Sequence, residues 1–376
     1  MKNRKKIANV PNLRFSNFTE EWEETRLGDN CDISMCKRIF ANETHEIEEI
    51  PFYKIGTLGG KPDSFIRREL FEEYKSKYNY PEIGEVMITC SGTVGKCIVF
   101  NGEDSYYQDS NIVWINNPKK EISNEFLHYV LSNINWGKLN STTITRIYST
   151  DLKSLILKYP QNHNEQNKLV TLLSFLDNRL STQIQIIEEL KSLKKVLRNN
   201  LCKQFTKIGK SEQIANLLNY EQPTNYIVAN TNYSDDCSLI PVLTANKAFI
   251  LGYTNEDFGI YNKGECVIFD DFTMDLKYVD FPFKVKSSAI KILTAKLGVN
   301  LRFIYEYLSF LKLTSADHKR HYISEIEPMY LSVPKIDIQN KIANILSILD
   351  KKISLEIKQC DLLVNQKKYL LSQMFI

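Results

Sequence analysis

A loose outline of a metal-dependent nuclease site lies early in the chain, where Pro62-Asp63 precedes Glu73-Tyr74-Lys75. Such sites hold Mg²⁺ with carboxylates from adjoining strands. Here the second element, RRELFEEYKSKY, places its apolar residues at helical spacing, which favours a surface helix over a catalytic strand. Asp270-Asp271 is no better as a metal pair. No Cys, Ser or carboxylate partner stands at a telling spacing from His163, His318 or His321.

Other signatures of catalysis are missing from the sequence. It contains no G-x-x-x-x-G-K-[ST] phosphate loop, no glycine-rich cofactor turn and no Asn-Pro-Pro-aromatic or Asp-Pro-Pro-aromatic motif. The eight cysteines are scattered without a C-x-x-C pair, which is typical of small buried thiols that stay reduced. No apolar run approaches the roughly 18 residues of a membrane span. We therefore expect a cytoplasmic, non-catalytic chain that holds no metal and contacts no membrane.

An internal repeat is the strongest pattern in the chain. Gln166–Leu180, QNKLVTLLSFLDNRL, returns almost half a chain length later at Gln339–Ile353 as QNKIANILSILDKKI, with seven of fifteen positions identical. Repeats of this length predict a duplicated structural unit. RIYSTDLKSLILKYP (146–160) is likewise similar to RHYISEIEPMYLSVP (320–334).

Both copies of the repeat continue as heptads with alternating spacings of four and three. Seams sustained over about five heptads indicate helices of roughly 35–40 residues, about 55–60 Å long, that pair as a coiled coil. Packing of each helix on its own globular domain is the alternative. The polar breaks coincide as well, Gln183 with Glu356 and Lys194 with Lys367. The seam residues expected to pair the helices and bind partners are Leu169, Leu173, Leu176, Leu180, Ile342, Leu346, Leu349 and Ile353.

The regions upstream of the two helices contain short β-branched and aromatic runs that predict strands, such as Val86–Thr89 and Cys266–Phe269. Amphipathic helices are predicted at Phe126–Ser132 and Phe303–Phe310. Because strands and helices do not alternate as βαβ units, we predict an α+β fold of two pseudo-symmetric mixed domains joined by two long antiparallel helices. The predicted boundaries are 1–160 and 206–334 for the globular domains, and 161–205 and 335–376 for the helices.

These features resemble the specificity (S) subunit of type I restriction-modification systems. The opening PNLRFSNFTEEWEETRLGDNCDI, with Phe15, Trp22 and Leu27-Gly28, is similar to the family's usual start. Each helix entry resembles the family's pattern of a proline followed by Glu-Gln, carried by Pro160 with Glu165-Gln166 and by Pro334 with Gln339, where Ile338 replaces the acidic residue. DDFT followed by KYVDFPFKV resembles one recurring type of second recognition domain.

The resemblance implies two target-recognition domains that read an asymmetric, bipartite duplex and direct adenine methylation and restriction by partner subunits. Two recognition domains about one helical turn apart, roughly 34–36 Å, can face the same side of a duplex. The paired helices would then act as a ruler. The implied partners are double-stranded DNA, two methyltransferase (M) subunits that bring S-adenosylmethionine, and restriction (R) subunits that bring ATP and Mg²⁺. No cofactor is expected in this chain.

DNA reading requires cations for phosphates and polar side chains for base edges. In the first domain the candidates are Ser91, Thr93, Lys96, Gln108, Asn111, Thr145, Arg146 and Tyr148. In the second domain they are Lys247, Asp271, Thr273, Lys277, Lys319, Arg320, His321 and Tyr322. Arg146 and Arg320 stand at equivalent places in the two halves. Asp271 has the chemistry to accept a hydrogen bond from cytosine N4.

Two other classes of protein stay open. A nuclease or methyltransferase fused to recognition domains would react with Mg²⁺ or S-adenosylmethionine when purified alone. A structural coiled-coil adaptor would not bind duplex DNA at low salt, whereas a DNA reader binds with steep salt dependence.

Overall fold

A computed structural model describes residues 9–139, 146–206, 209–245, 249–314 and 320–376. The chain forms two compact units. Unit 1 comprises Met1–Thr182 together with Cys360–Ile376, and unit 2 comprises Gln183–Gln359. Each unit therefore contains part of both long helices, because these helices pass from one unit into the other.

Unit 1 is a mixed α+β domain with three small sheets. Its strands are β1 (Glu23–Arg26), β2 (Asp32–Ser34), β3 (Ile50–Tyr53), β4 (Phe65–Ile66), β5 (Val86–Thr89), β6 (Cys97–Val99), β7 (Tyr106–Tyr107), β8 (Ile112–Asn116) and β9 (Ile156–Tyr159). Its helices are α1 (Leu27–Asn30), α2 (Arg68–Lys77), α3 (Asn124–Asn133), α4 (Trp136–Leu139), α5 (Ser149–Ser154) and the start of α6 (His163–Phe205). The strand orders are β1-β9, β2-β8-β5-β6 and β4-β3-β7.

Unit 2 repeats this architecture. Its strands are β10 (Lys210–Gln213), β11 (Leu218–Glu221), β12 (Ile240–Leu243), β13 (Ile250–Thr254), β14 (Cys266–Asp270), β15 (Leu276–Val279), β16 (Lys284–Val285), β17 (Ile290–Ala295) and β18 (Tyr330–Val333). Its helices are α7 (Ile214–Leu217), α8 (Leu301–Leu311) and most of α9 (Ile336–Met374). The strand orders β10-β18, β11-β17-β14-β15 and β13-β12-β16 correspond sheet by sheet to those of unit 1. The predicted duplicated α+β fold is confirmed.

Apolar residues in the predicted strands form the cores. All four residues of β5 are buried, and the buried side chains of β8 face two separate clusters, one under α3 and one under the three-stranded sheet. The amphipathic helices begin at polar caps, where Ser123 accepts from the Phe126 N–H and Asn300 accepts from the Phe303 N–H. Such caps satisfy backbone donors that a helix start leaves unpaired.

The seam residues of α6 and α9 are all buried or half-buried, as the heptads predict. Their partners differ from a pure coiled coil, however. Leu169 and Met374 belong to the core cluster of unit 1 that contains Trp22, and Ile342 and Leu346 belong to the core of unit 2. Packing on the globular domain and packing between helices therefore both occur. The remaining predicted seam residues, all buried or half-buried, are Leu173, Leu176, Leu180, Leu349 and Ile353.

Partner binding, the second role predicted for the seam, stays a prediction for the half-buried Leu180, Leu349 and Ile353, whereas the other five seam residues are buried. A side chain enclosed by its own chain has no surface left for a partner subunit, so the fully buried seam residues act in internal packing.

Polar breaks in the two seams pair across the helices. In unit 2, Gln183 Nε2 lies 3.1 Å from the Glu356 carbonyl oxygen, and Lys194 Nζ lies 2.7 Å from Asp350 Oδ2. In unit 1, the repeat-related Lys367 donates to Asp177. As residue numbers rise along α6 the partners on α9 fall, so the helices are antiparallel. Polar contacts at seam positions favour one register over its neighbours.

A buried glutamine fastens the start of each long helix, and we call this contact the glutamine clasp. Gln166 Nε2 donates to the Glu121 and Pro160 carbonyl oxygens at 2.9 Å, and its Oε1 accepts from the Ser123 N–H at 2.7 Å. Gln339 makes two of these three bonds, donating to the Pro334 carbonyl oxygen and accepting from the Asn300 N–H, both at 2.9 Å. The clasp explains the proline-then-glutamine pattern, because it ties helix, proline and neighbouring helix cap together.

Glu165, the acidic residue before the first clasp, binds the N-terminal segment. Glu165 receives a bidentate pair of hydrogen bonds from Arg14 at 2.7 Å and a further one from the Trp22 indole at 3.3 Å. The N-terminal segment is thereby attached to α6. In the second copy Ile338 occupies this position and is exposed.

Candidate nucleic-acid interface

The loop between β5 and β6 meets the segment before α5 at the end of the four-stranded sheet in unit 1. Backbone bonds join Cys90 N to the Asn111 carbonyl oxygen at 2.7 Å, and Ile147 N to the Cys90 carbonyl oxygen at 2.8 Å. Ser91 forms an isolated antiparallel bridge with Arg146. Residues from three separate stretches of sequence therefore converge at one strand end.

The Arg146 guanidinium at this place contacts a hydroxyl group and an aromatic ring. Its NH2 group lies 3.3 Å from Ser110 Oγ, and its Cζ lies 5.7 Å from the centre of the Tyr148 ring. Ser91 Oγ donates to Asn111 Oδ1 at 2.6 Å. Tyr148 is 60% exposed, so an aromatic face and a cation stand together at the surface. This combination can contact phosphate, base edge or base face.

The other candidates of unit 1 lie in two further segments. Thr93 and Lys96 are exposed in the loop between β5 and β6, where Lys96 Nζ donates to the Leu58 carbonyl oxygen. Gln108 is half-buried, and its N–H donates to the Tyr53 carbonyl oxygen at 2.9 Å. Thr145 lies outside the described residues. The structure thus brings Ser91, Asn111, Arg146 and Tyr148 together and leaves Lys96 fastened to a neighbouring loop.

Beneath Arg146 lies the buried thiol of Cys90. Burial raises the pKa of this thiol to about 11, although the nearby Arg146 charge acts in the opposite direction. The thiol is therefore neutral at physiological pH. A neutral buried thiol is a packing group and not a nucleophile.

Unit 2 has the same backbone arrangement at the corresponding strand end. Asp271 N donates to the Ala289 carbonyl oxygen at 2.9 Å, and His321 N donates to the Asp271 carbonyl oxygen at 3.0 Å. These bonds match those made by Cys90 in unit 1. Arg320, directly before His321, is exposed and holds the place of Arg146. The equivalence of the two arginines, which the sequence predicts from alignment, is thus found in the backbone pairing as well.

The tip of the β14–β15 hairpin is shaped by Asp270. Its Oδ1 accepts from the Phe272 and Thr273 N–H groups, both at 2.9 Å, and Met274 has a positive φ of 58°. Phe272 and Thr273 are consequently exposed at the tip. Lys277 lies further along on β15 and is half-buried. The hairpin presents an aromatic ring and a hydroxyl group beside Arg320's segment.

Three candidates of unit 2 are not on the surface. Asp271, His321 and Tyr322 each have an exposed fraction of 1%, so a duplex has no access to their side chains. The expectation that they contact DNA directly is wrong for this structure. The physical reason is that the carboxylate turns inward to bind backbone N–H groups, and the Tyr322 ring packs 5.6 Å from Tyr220 and 5.5 Å from Phe269. Lys247 and Lys319 lie outside the described residues.

Sequence reasoning missed Lys291 and Phe272. Lys291 is a buried cation at the second position of β17, and Phe272 is an exposed aromatic at a hairpin tip. The run Ile290–Leu293, IKIL, holds one charge inside an apolar strand, which signals a buried lysine that needs an anionic partner. No comparable signal marks Phe272.

The early nuclease outline does not assemble a site. Glu73 and Lys75 lie on the surface helix α2, as their spacing predicts, and Asp63 pairs with Lys54 at 3.2 Å. Among the described residues, no group of three or more His, Cys, Asp and Glu side chains is placed to hold a metal ion. In the same part of the chain, no helix has both the length and the apolar character needed to cross a bilayer.

Comparison with known proteins shows that the duplicated arrangement is matched twice by one family model. The family model of the type I restriction modification DNA specificity domain matches residues 19–192 and again residues 202–363. A Haemophilus influenzae protein that carries the provisional name of a type I restriction enzyme specificity subunit is 45% identical over 157 residues. The Escherichia coli EcoR124I/EcoR124II specificity subunit is 41% identical over 167 residues. Each alignment covers 42% of this chain and only about two-fifths of the relative, 40% and 41% respectively.

One solved structure extends the likeness to the whole fold. The type I restriction-modification system S subunit from M. genitalium aligns with a TM-score of 0.67 over 98% of this chain and 99% of that chain. At 17% sequence identity this is a likeness of fold alone. The family match, in contrast, covers both halves and most of the sequence. This chain therefore belongs to the family of type I restriction-modification DNA specificity domains, as its helix-entry motifs predict.

Proposed function

We propose that this chain is the non-catalytic, sequence-specific DNA-recognition subunit of a type I restriction-modification complex. Unit 1 reads one short half of an asymmetric, bipartite duplex target, and unit 2 reads the other half. Through this reading the chain directs adenine methylation and restriction that are carried out by partner subunits in the cytoplasm.

One observation carries the proposal. Two units with the same sheet order each place an arginine, Arg146 or Arg320, at the same strand end beside polar or aromatic side chains. The side chains around the two arginines differ, with Ser110 and Tyr148 in unit 1 and Phe272 and Thr273 near the strand end of unit 2. A repeated frame with unlike contact residues suits a target whose two halves differ.

The partners and cofactors follow from the same proposal. Two M subunits bind the chain and bring S-adenosylmethionine, and R subunits bring ATP and Mg²⁺, so this chain itself holds no cofactor. Large apolar side chains exposed on the long helices support a protein partner there, because Ile348, Leu355 and Leu362 recur every seven residues and so share one face of α9. The exposed side chains are Phe175, Ile184, Ile348, Leu355 and Leu362.

Exchange of residues 206–334 for those of a relative tests the two-reader proposal. We expect mapping of modified adenines in host DNA to show a motif with one half changed and the other half retained. A host without this gene should lack the motif, which provides the control. A motif altered in both halves, or in neither, would contradict the proposal that each unit reads one half of the target.

Replacement of Arg146 by alanine should weaken discrimination in the half-site that unit 1 reads by about tenfold, if the guanidinium contacts a base edge. Arg320→Ala should do the same for the other half. A phosphate contact would instead weaken binding to all sequences and make the salt dependence shallower by about one unit of slope. Competition binding with half-site mismatches, at several salt concentrations, separates these outcomes. Arg179→Ala, on an exposed turn of α6, is the matched control.

The two other classes of function can be tested with purified protein. A nuclease or methyltransferase would cleave duplex DNA with Mg²⁺ alone or transfer a methyl group from S-adenosylmethionine without any partner. A structural adaptor would show no duplex binding even at low salt. Either result would overturn the proposed function.

A further inference from the structure

The buried carboxylate of Asp271 binds the segment that carries Arg320. Its Oδ1 accepts from the His321 N–H at 3.1 Å and from the Tyr322 N–H at 2.9 Å. Its backbone carbonyl also accepts from the His321 N–H at 3.0 Å. The two residues after Arg320 are therefore tied to one side chain, while the arginine itself remains exposed. Fixing the backbone next to a long cationic side chain limits where its guanidinium can reach.

A buried lysine holds Asp271 in place. Lys291 Nζ lies 3.3 Å from Asp271 Oδ2 and donates to Gln222 Oε1 at 2.9 Å. It also lies 6.0 Å from the centre of the Tyr220 ring, which in turn packs against Tyr322. The lysine and the aspartate are 1% exposed. A buried pair of this kind needs good geometry and further hydrogen bonds to offset the loss of water, and both are present.

Unit 1 has the same backbone arrangement without a buried ion pair. Strand register shows the correspondence, since Ile88 faces Val113 in unit 1 and Phe269 faces Lys291 in unit 2. Val113 thus corresponds to Lys291. The matching backbone bonds described above make Cys90 the counterpart of Asp271. Both Cys90 and Val113 are buried in one apolar cluster. The ion pair of unit 2 is therefore not required by the fold itself.

We propose that Asp271 and Lys291 are positioning residues that set the location of Arg320 for reading the half-site of unit 2. This inference rests on the proposed function, because it gives the ion pair a role in target discrimination. It assigns to Asp271 an indirect part in recognition, through the His321 and Tyr322 backbone, in place of a base contact.

The double variant Asp271→Cys with Lys291→Val places the uncharged pair of unit 1 into unit 2. Because both members of the ion pair are removed together, neither is left as an unpaired buried charge, and the variant should fold. Competition binding of the full chain with its partner subunits should show about a tenfold loss of discrimination against mismatches in the unit 2 half-site. Discrimination in the other half-site should not change. A folded double variant with undiminished discrimination in both halves would overturn the proposal.

A second measurement decides the matter if that variant does not fold. Asp271→Asn keeps one acceptor oxygen and the side-chain shape, and it is compared with Arg320→Ala and with the two changes combined. If Asp271 acts through Arg320, Asp271→Asn should reduce discrimination in the wild-type background and have no further effect once Arg320 is alanine. Additive effects would assign Asp271 to general stability and overturn the inference. Loss of sequence-specific binding by the wild-type complex itself would instead contradict the proposed function.

Discussion

Replacement of Glu306 by alanine is expected to destabilise unit 2 by about 3 kcal/mol, because it removes a buried carboxylate that pairs with half-buried cations. Glu306 is 1% exposed and lies 2.8 Å from Lys194 Nζ and 3.4 Å from the Arg302 NH2 group. Arg198 also approaches it, at 3.7 Å, so that Asp350 alone would have to neutralise the cluster. The loss of unfolding free energy is measured by denaturant titration, with amide hydrogen exchange within residues 183–359 as the probe of unit 2.

The control for this change is Asp361→Ala, which removes an exposed carboxylate from α9. Surface substitutions of this kind usually shift the free energy of unfolding by no more than about 0.5 kcal/mol. Equal stability of the Glu306 variant and the wild type would mean that Asp350 and solvent are sufficient to stabilise the cations of the cluster. The buried network would then have no role in fastening α6 and α9 to α8.

Replacement of Gln166 by alanine should destabilise unit 1 by about 2–4 kcal/mol, since two carbonyl oxygens and one N–H lose their partner in a buried place. The sharpest readout is amide exchange at Ser123, whose N–H is bound by Gln166 Oε1. We expect that amide to lose protection while the Asn300 amide keeps it. Gln339→Ala should produce the reverse pattern, because Gln339 binds the Asn300 N–H.

This reciprocity makes each glutamine the internal control for the other. Gln366→Ala, at an exposed position of α9, controls for the loss of a glutamine as such. If Ser123 and Asn300 lost protection together in both variants, the two clasps would not be local. The helix entries would then have to be treated as one cooperative element.

Periodicity predicted the parts of this fold that depend on local chemistry. Alternating spacings of four and three placed the seam of α6 and α9 correctly, because each helix must hide an apolar stripe whatever it packs against. The strands β5 and β14 were likewise visible as short runs of branched and aromatic residues. When the predicted helices Phe126–Ser132 and Phe303–Phe310 are aligned at their first residues, Tyr129 corresponds to Glu306, although the different partners of these two residues could not be predicted.

The candidate interface was only partly predictable. Arg146 and Arg320 could be matched from sequence because both precede the same motif. The inward direction of Asp271 could not, because it depends on Lys291 and on the backbone of residues 321 and 322, which are distant in sequence. Residue type indicates which hydrogen bonds are possible, whereas the tertiary fold decides which are made. An aspartate on a hairpin therefore appeared available to a base and is instead an internal support.

The end of α9 completes the core of unit 1. Phe375 stacks on Phe126 at 5.4 Å between ring centres and meets Trp22 edge-on at 6.2 Å, while the Leu13 N–H donates to the Gln373 carbonyl oxygen. The ribosome makes the greater part of unit 1 before unit 2, but it supplies these residues only after unit 2. The core of unit 1 therefore cannot be completed until the whole of unit 2 has been translated.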